Sequence, residues 1–223
     1  MRAFELEYSA YTSNTLRYFQ ILKEIFKATR VSYFIDVSSA EKDFQTLETI
    51  IQNRRTVKDY DGREIPEKTI LELLSLGIWA PNHHMTEPWT FRVLTQSGIK
   101  NWHHFLETKL SADEKALTAK VFKKLSGIGA IVYVTSKRNE NSTVDLENYA
   151  ATCCAIEHIL LGATARDIRS YWSTSKVFAD KNTLDFLKVA DSEKFVGALW
   201  LGYGELPEPK ARKSVEEKTI WIK

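Results

Sequence analysis

Residues 144–166 carry the pattern that most constrains the fold, because apolar residues recur on nearly every side of the helix that they predict. Neighbouring elements bury a helix of this kind, so we expect it at the centre of the molecule. The run 130–134 (AIVYV) is almost entirely apolar, as expected of a β-strand that is covered on both faces. Together the two segments favour a fold in which helices pack on both faces of a sheet.

The remaining periodic segments supply the other elements. Apolar residues at helical spacing predict helices, and short apolar runs between turn residues predict strands. We expect an α+β class with one mixed sheet of four or five strands. The predicted helices lie at about 15–29, 40–53, 67–79, 98–108, 112–126 and 180–188, and the further strands at 89–94, 170–175 and 196–203.

Residues 1–44 are predicted to form an N-terminal helical extension ahead of a main domain at 45–223. Asn14 suits the N-cap of the helix at 15–29, whose wide apolar face must be buried against the main domain or a partner subunit. A membrane surface is a third candidate, which the modest number of basic residues disfavours. The core face predicted for the helix at 40–53 consists of Phe44, Leu47, Ile50 and Ile51.

Composition and charge restrict the function classes. The chain has 31 basic and 29 acidic residues, interleaved along its length, so its net charge of +2 indicates no nucleic-acid-binding surface. The N-terminal residues lack the apolar core of a signal peptide, and no run reaches the roughly 18 apolar residues of a membrane span. Cys153 and Cys154 are neighbours in a predicted helix, which indicates two free, buried thiols in a reducing compartment. We therefore expect a cytoplasmic protein without nucleic-acid or membrane partners.

Three short motifs follow one another between residues 54 and 89: Arg54-Arg55-Thr56, Ala80-Pro81-Asn82 and Glu87-Pro88-Trp89. The first two stand at the ends of predicted helices, and the third precedes a predicted strand. In order and spacing they resemble the FMN-dependent nitroreductase family, whose members carry Arg-Arg-Ser/Thr, Ala-Pro-Ser/Asn/Asp and Gln/Glu-Pro-Trp. The resemblance covers about residues 44–223. It implies a three-layer α-β-α sandwich with a mostly antiparallel sheet, FMN as cofactor, and a homodimer that exchanges its C-terminal strands.

FMN needs cations for its phosphate, an apolar slot for its ring, and donors at the ring edge where charge gathers on reduction. The resemblance assigns Arg54, Arg55 and Thr56 to the phosphate and to the ribityl chain or ring edge, and Lys210 and Arg212 to the phosphate. Arginine suits this role because its guanidinium fork can bind phosphate through two hydrogen bonds. The alternative for the arginine pair is that it complements a helix dipole, and for the tail cations that they are solvated.

The turn after the second motif is assigned to the site by the same resemblance. Pro81, Asn82 and His83 stand where family members contact the flavin held mainly by the other subunit, and Met85 flanks that turn. Asn82 could equally be a turn residue that satisfies its own backbone. Glu87 takes the place that glutamine often holds, where it would pair with an arginine or accept backbone hydrogen bonds.

The segment Tyr171-Trp172-Ser173 resembles the one that lies beside the flavin ring, with Ser173 where many relatives carry arginine. Just upstream, relatives usually read Gly-Leu-Gly, whereas this chain has Asp167 and Arg169 at the two glycine positions. Aspartate tolerates the left-handed backbone region that glycine favours, but arginine does not replace glycine cheaply there. We therefore expect local strain at Arg169.

The resemblance implies an oxidoreductase that passes hydride from NAD(P)H through FMN to a small acceptor, nitroaromatic or quinone-like, by a ping-pong mechanism. No catalytic residue is expected, because the flavin carries the chemistry. No GxGxxG motif predicts a separate dinucleotide domain, and adjacent histidines seldom converge on one metal ion, so no metal is expected. The alternative is a flavin-binding dimer with another redox chemistry, or with a low-turnover role as a sensor or partner protein.

Overall fold

The computed structural model describes residues 37–223, and the statements below refer to that part of the chain. Its contacts divide the chain into two compact units, residues 1–47 and 48–223. The predicted helix at 15–29 lies outside the described residues, and the extension at 1–44 remains a prediction. None of the described helices is long and apolar enough to cross a membrane.

The elements follow the predicted order, with small shifts at their ends. The predicted helix at 180–188 is confirmed as a short helix at 181–186, which the Asp180 carboxylate caps by accepting the amide of Asn182. A further short helix at 176–179, which was not predicted, ends just before it. In chain order the elements are α1 (Val37–Asn53), α2 (Glu67–Gly77), β1 (Trp89–Thr95), α3 (Gln96–Lys109), α4 (Ala112–Lys124), β2 (Ala130–Lys137), α5 (Ser142–Ala165), β3 (Arg169–Ser173), α6 (Lys176–Ala179), α7 (Lys181–Phe186) and β4 (Glu193–Gly202), with 3₁₀ turns at His83–Met85 and Glu216–Lys218.

The four strands form one sheet in the order β1-β2-β4-β3, in which every neighbouring pair is antiparallel. In register, Val93 pairs with Val132, and Val132 with Leu199. The parallel pairing that a mixed sheet requires is limited to a single bridge between Thr56 and Ser170. The mostly antiparallel sheet of four strands is therefore confirmed.

Helices cover both faces of this sheet, which confirms the three-layer α+β sandwich. Because side chains alternate along a strand, β2 buries Val132 on the face under α2 and α5, and Tyr133 on the face under α3. All of β2 from 130 to 136 is buried, as its apolar run predicted. Fully burying an aliphatic side chain of this size contributes about 1.5–3 kcal/mol, so the two core clusters hold the layers together.

Two predictions about helix burial are wrong in the described chain. The face of α1 that was predicted to be core is open, with Phe44 62% exposed in the first unit and Ile51 50% exposed in the second. Helix α5 packs one face on the sheet, but its other face carries an exposed Leu146 and Cys154, which is a free thiol and not a buried one. Apolar periodicity shows that a face must be covered, and it does not say whether the same chain covers it.

Candidate functional site

A positively charged cleft of about 630 Å³ unites two groups of predicted site residues. Arg54, Arg55 and Thr56 follow α1, and Lys210 and Arg212 reach the same cleft from the segment after β4. Within residues 37–223, none of the four cations forms an ion pair with a carboxylate. Four cations without an ion-pair partner among these residues, beside a hydroxyl donor, form a site for an anion that carries more than one negative charge.

Contacts with β3 hold the arginine segment in place. The amide of Val57 donates to the carbonyl of Ser170 at 3.0 Å, beside the bridge of Thr56 to the same residue. The guanidinium of Arg55 donates to the carbonyls of Gln52 and Arg54, so it also satisfies the C-terminal carbonyls of α1. Arg55 thus has the helix-end role that was the alternative for the arginine pair, whereas the side chain of Arg54 makes no such contact.

A second cleft, of about 760 Å³, continues from the first and shares Thr56, Pro207 and Lys210 with it. Lys58 also lines this cleft, and its Nζ lies 4.9 Å from the ring centroid of Tyr171, a predicted site residue. Lys58 was not among the site residues predicted from the sequence. Its signal is the spacing from Thr56, since residues two apart in an extended segment face the same side.

The segment Tyr171-Trp172-Ser173 lines neither cleft, and only Tyr171 contacts a cleft residue, Lys58. The indole of Trp172 donates to the carbonyl of Val196 at 3.3 Å and packs against the core under α5. Ser173 is 1% exposed, and its hydroxyl accepts the amide of Ser175 at 3.4 Å. Flavin contacts for Trp172 and Ser173 remain predictions, and in this structure both serve the core.

The predicted turn at Pro81, Asn82 and His83 lines neither cleft. The side chain of Asn82 accepts the amide of Glu87 at 3.0 Å and donates to the carbonyl of Ala80 at 3.2 Å. This is the local backbone role that was its alternative. The Glu87 carboxylate is exposed and forms no ion pair with a described arginine, and His83 lies 3.1 Å from Glu147 on α5.

The same turn contains unusual backbone geometry. His84, Met85 and Glu87 have φ values of 56°, 50° and 41°, in the left-handed region that residues other than glycine rarely adopt. Each such residue costs roughly 1–2 kcal/mol, so the surrounding contacts must hold the turn in this form. Met85 is also 74% exposed, and Trp79, at the start of the turn, is 81% exposed.

Asp167 and Arg169, which stand where relatives usually carry glycine, are accommodated in different ways. Asp167 adopts the left-handed conformation, with φ 58°, and closes α5 with a Schellman motif in which Ile168 donates to Ala163 and Asp167 donates to Thr164. Arg169 is the first residue of β3 and has ordinary extended backbone, so the predicted strain there is wrong. Its guanidinium pairs with Asp167 at 2.8 Å and donates to the carbonyl of Gly204 at 2.8 Å, which fastens the segment leading to Lys210.

Two polar side chains that line the second cleft, Tyr60 and Asp61, each keep one protonation state. Burial raises the pKa of Tyr60, so its hydroxyl remains neutral and donates to the carbonyl of Val57 at 2.7 Å. The hydrogen bonds from Arg63 lower the pKa of Asp61, which remains a carboxylate. In the part of the chain that the structure describes, no three His, Cys, Asp or Glu side chains are grouped as metal ligands.

Comparisons with known proteins agree with this architecture. The solved nitroreductase-like family protein from Bacillus cereus superposes with a TM-score of 0.73 at 25% identity, over 79% of this chain and 95% of that one. The FMN-dependent nitroreductase NfnB from Mycobacterium smegmatis, solved in complex with NADPH, has the same fold, with a TM-score of 0.62 at 16% identity over 80% of this chain and 99% of that one.

Curated relatives lead to the same family. A Bacillus subtilis (strain 168) protein with the provisional name NAD(P)H nitroreductase YfhC is 27% identical over 178 residues, covering 77% of this chain and 92% of the relative. YdjA of Escherichia coli (strain K12), with the same provisional description, is 26% identical over 173 residues, covering 76% and 92%. The sequence model described as the nitroreductase family matches residues 51–203, more than half of the chain. The chain therefore belongs to the nitroreductase family, as its three motifs had indicated.

Proposed function

We propose that this protein is an FMN-dependent oxidoreductase that takes hydride from NAD(P)H and delivers it to a small acceptor by a ping-pong mechanism. Family membership supports FMN-dependent redox chemistry, and the names of YfhC and YdjA support NAD(P)H as the donor. We propose nitroaromatic or quinone-like compounds as acceptors, because planar rings of this kind can stack on a flavin.

The observation that carries the proposal is the cleft lined by Arg54, Arg55, Lys210 and Arg212. The phosphate of FMN is a dianion, and unpaired guanidinium groups are the side chains best suited to bind it. The cleft lies at the C-terminal end of α1, so its positive charge comes from side chains and not from a helix dipole. Thr56 adds a neutral donor for the phosphate or the ribityl chain.

We propose that the flavin ring occupies the neighbouring cleft, where Lys58 supplies a cation for the N1/O2 edge of the ring. The Lys58 Nζ lies 4.9 Å from the ring centroid of Tyr171, which does not line the cleft itself. When bound, FMN supplies the centre that accepts and then returns the hydride, so the protein needs no catalytic acid or base. These side chains would hold the edge of the ring, and a ping-pong reaction further requires one face of the ring to be open to each substrate in turn.

We further propose a homodimer with two shared sites and exchanged C-terminal strands. Leu146 and Tyr149 on α5, and Ile220, Trp221 and Ile222 near the C-terminus, are large apolar side chains left exposed by the single chain. The 81–87 turn lies outside the clefts of its own chain, so a role at the flavin requires that it serve the partner's site. Because Asp167 and Arg169 are both accommodated, one reason for the alternative of a low-turnover sensor is removed. The N-terminal extension, which was the other reason, lies mostly outside the described residues.

The test is a visible spectrum of the purified protein, before and after addition of FMN, followed by NADH or NADPH under anaerobic conditions. We expect oxidised-flavin absorption that bleaches within seconds of NAD(P)H addition and returns when menadione or nitrofurazone is added. Bound flavin that does not bleach would favour the sensor role. A protein that takes up no FMN would contradict the proposal.

A further inference from the structure

Helix α5 contacts the 81–87 turn through a buried amide that none of the proposed chemistry uses. Asn148 is 3% exposed, and its carbonyl oxygen accepts the hydroxyl of Thr86 at 2.9 Å. Its Nδ2 donates to the carbonyl of Lys137, at the end of β2, at 3.3 Å. The adjacent residue, Glu147, faces His83 at 3.1 Å. One carboxamide therefore joins the turn, the sheet and the helix.

The two hydrogen bonds at position 148 require a side chain with both a donor and an acceptor, such as a carboxamide. A buried polar side chain is costly unless its donor and acceptor groups are both used, and those of Asn148 both are. A carboxylate could accept from Thr86 but could not donate to Lys137, and an apolar side chain could do neither. The side chain thus bridges two segments by hydrogen bonds in opposite directions.

The turn needs such an anchor because of its backbone. His84, Met85 and Glu87 all lie in the left-handed region, and this geometry persists only where the surroundings over-determine it. The bond between the Glu87 amide and Asn82 lies within the turn and cannot fix the turn against the rest of the fold. The contact of His83 with Glu147 is exposed to solvent, so it holds the turn weakly. The bond from Thr86 to Asn148 is partly buried and ends on a buried side chain, so it is the stronger anchor.

We propose that Asn148 is a positioning residue, which holds the 82–87 turn through Thr86 in the conformation that presents His83 and Met85 to the substrates. The inference rests on the proposed function, because it assigns the turn to a substrate-binding surface beside the flavin. Loss of the bond would loosen the turn without touching the cation cleft, so substrate affinity would fall while flavin affinity stayed constant.

The experiment compares Thr86→Val, which keeps the shape of the side chain and removes its hydroxyl, with Thr86→Ser, which keeps the hydroxyl. Thr183→Val is the control: Thr183 is buried, and its hydroxyl accepts the indole N–H of Trp102 at 3.1 Å, on the other side of the sheet. Amide hydrogen exchange of Glu87 is measured in all three and in the wild type, with steady-state kinetics for NADPH and menadione in the presence of FMN.

We expect Thr86→Val to speed the exchange of the Glu87 amide about five- to tenfold, as the loss of one partly buried hydrogen bond implies. It should raise the KM for menadione about fivefold, with kcat and FMN affinity within twofold of the wild type. Thr86→Ser should have the Glu87 exchange rate and the menadione KM of the wild type, and Thr183→Val should change neither quantity.

Unchanged exchange in Thr86→Val would overturn the anchoring role. Faster exchange with an unchanged KM, or an equal rise of KM in Thr183→Val, would overturn the positioning role while the proposed function stood. A wild-type protein that bound no FMN would overturn the proposed function, and with it the link between the turn and substrates. The exchange data would still decide separately whether Asn148 anchors the turn.

Discussion

At the scale of single residues, charge is concentrated where Arg54 and Arg212 meet in one cleft from opposite ends of the main domain. We predict that Arg54→Gln and Arg212→Gln each weaken FMN binding at least tenfold, since a hydrogen bond to a charged group is worth about 1.5–3 kcal/mol. Affinity for riboflavin, which lacks the phosphate, should hardly change. Fluorescence titration of both flavins measures the difference.

Lys213→Gln is the matched control for these two variants, because Lys213 is an exposed cation of the same segment that does not line the cleft. It should leave the FMN affinity close to that of the wild type. Equal losses of FMN affinity in Lys213→Gln and Arg212→Gln would show that general charge, and not the cleft, attracts the cofactor. Equal losses of FMN and riboflavin affinity would indicate that the two arginines contact the flavin ring and not the phosphate.

A second residue-scale feature is the pairing of Arg92 with Glu193 at 2.5 Å, with side chains 20% and 12% exposed. Burial raises the pKa of Glu193, but hydrogen bonds from Arg92, Thr90, the Ala190 amide and Thr135 outweigh it, so that the net pKa is lowered. A carboxyl with a folded pKa below its unfolded value stabilises the fold above the unfolded pKa, near 4.3, and loses that contribution as the pH falls through the folded pKa.

We therefore predict that Glu193→Gln lowers the free energy of unfolding at pH 7 by about 2 kcal/mol, since it leaves Arg92 partly buried without its partner. The difference between variant and wild type should shrink as the pH falls below 4. Urea unfolding at several pH values measures it. Asp61→Asn, which breaks the exposed pair with Arg63, should change stability little. A Glu193→Gln variant with wild-type stability at pH 7 would contradict the prediction.

At the scale of elements, the junction of α5 and β3 depends on one left-handed residue. Asp167 has φ 58°, so Asp167→Gly should be more stable than Asp167→Ala by about 1 kcal/mol, or roughly 3 °C in Tm. Both variants lose the pair with Arg169, so their difference reports the backbone alone. Thermal unfolding of the two proteins measures it, and an alanine variant at least as stable as the glycine variant would contradict the Schellman geometry.

At the scale of the whole molecule, the uncovered face of α5 predicts self-association. We expect the wild type to sediment at twice the mass of one chain. Leu146→Glu, which places a charge on that face, should sediment as a monomer and lose FMN, because the proposed sites are shared. Ala116→Glu is the control, since Ala116 is exposed on α4, which follows α3 on the far side of the sheet. A monomeric wild type, or a dimeric Leu146→Glu, would contradict the dimer.

The sequence by itself determined the kinds of elements, their order and the family. These features are local: helical spacing, the apolar run of β2 and the three motifs between residues 54 and 89 depend on neighbours along the chain. The same locality explains the errors at α1 and α5. An apolar face that a partner covers has the same pattern as one that the core covers, so periodicity could not show that Phe44 and Leu146 are exposed in the single chain.

Only the tertiary structure decided which site residues meet. It brought Lys210 to Arg54, added Lys58 beside Tyr171, and left Ser173 in the core. It also showed the left-handed turn at 84–87, which carries no glycine and so gives no signal in the sequence. The physical reason is that these outcomes depend on contacts between distant segments, such as the bond from Thr86 to Asn148, whose energy appears only when the sheet and helices have assembled.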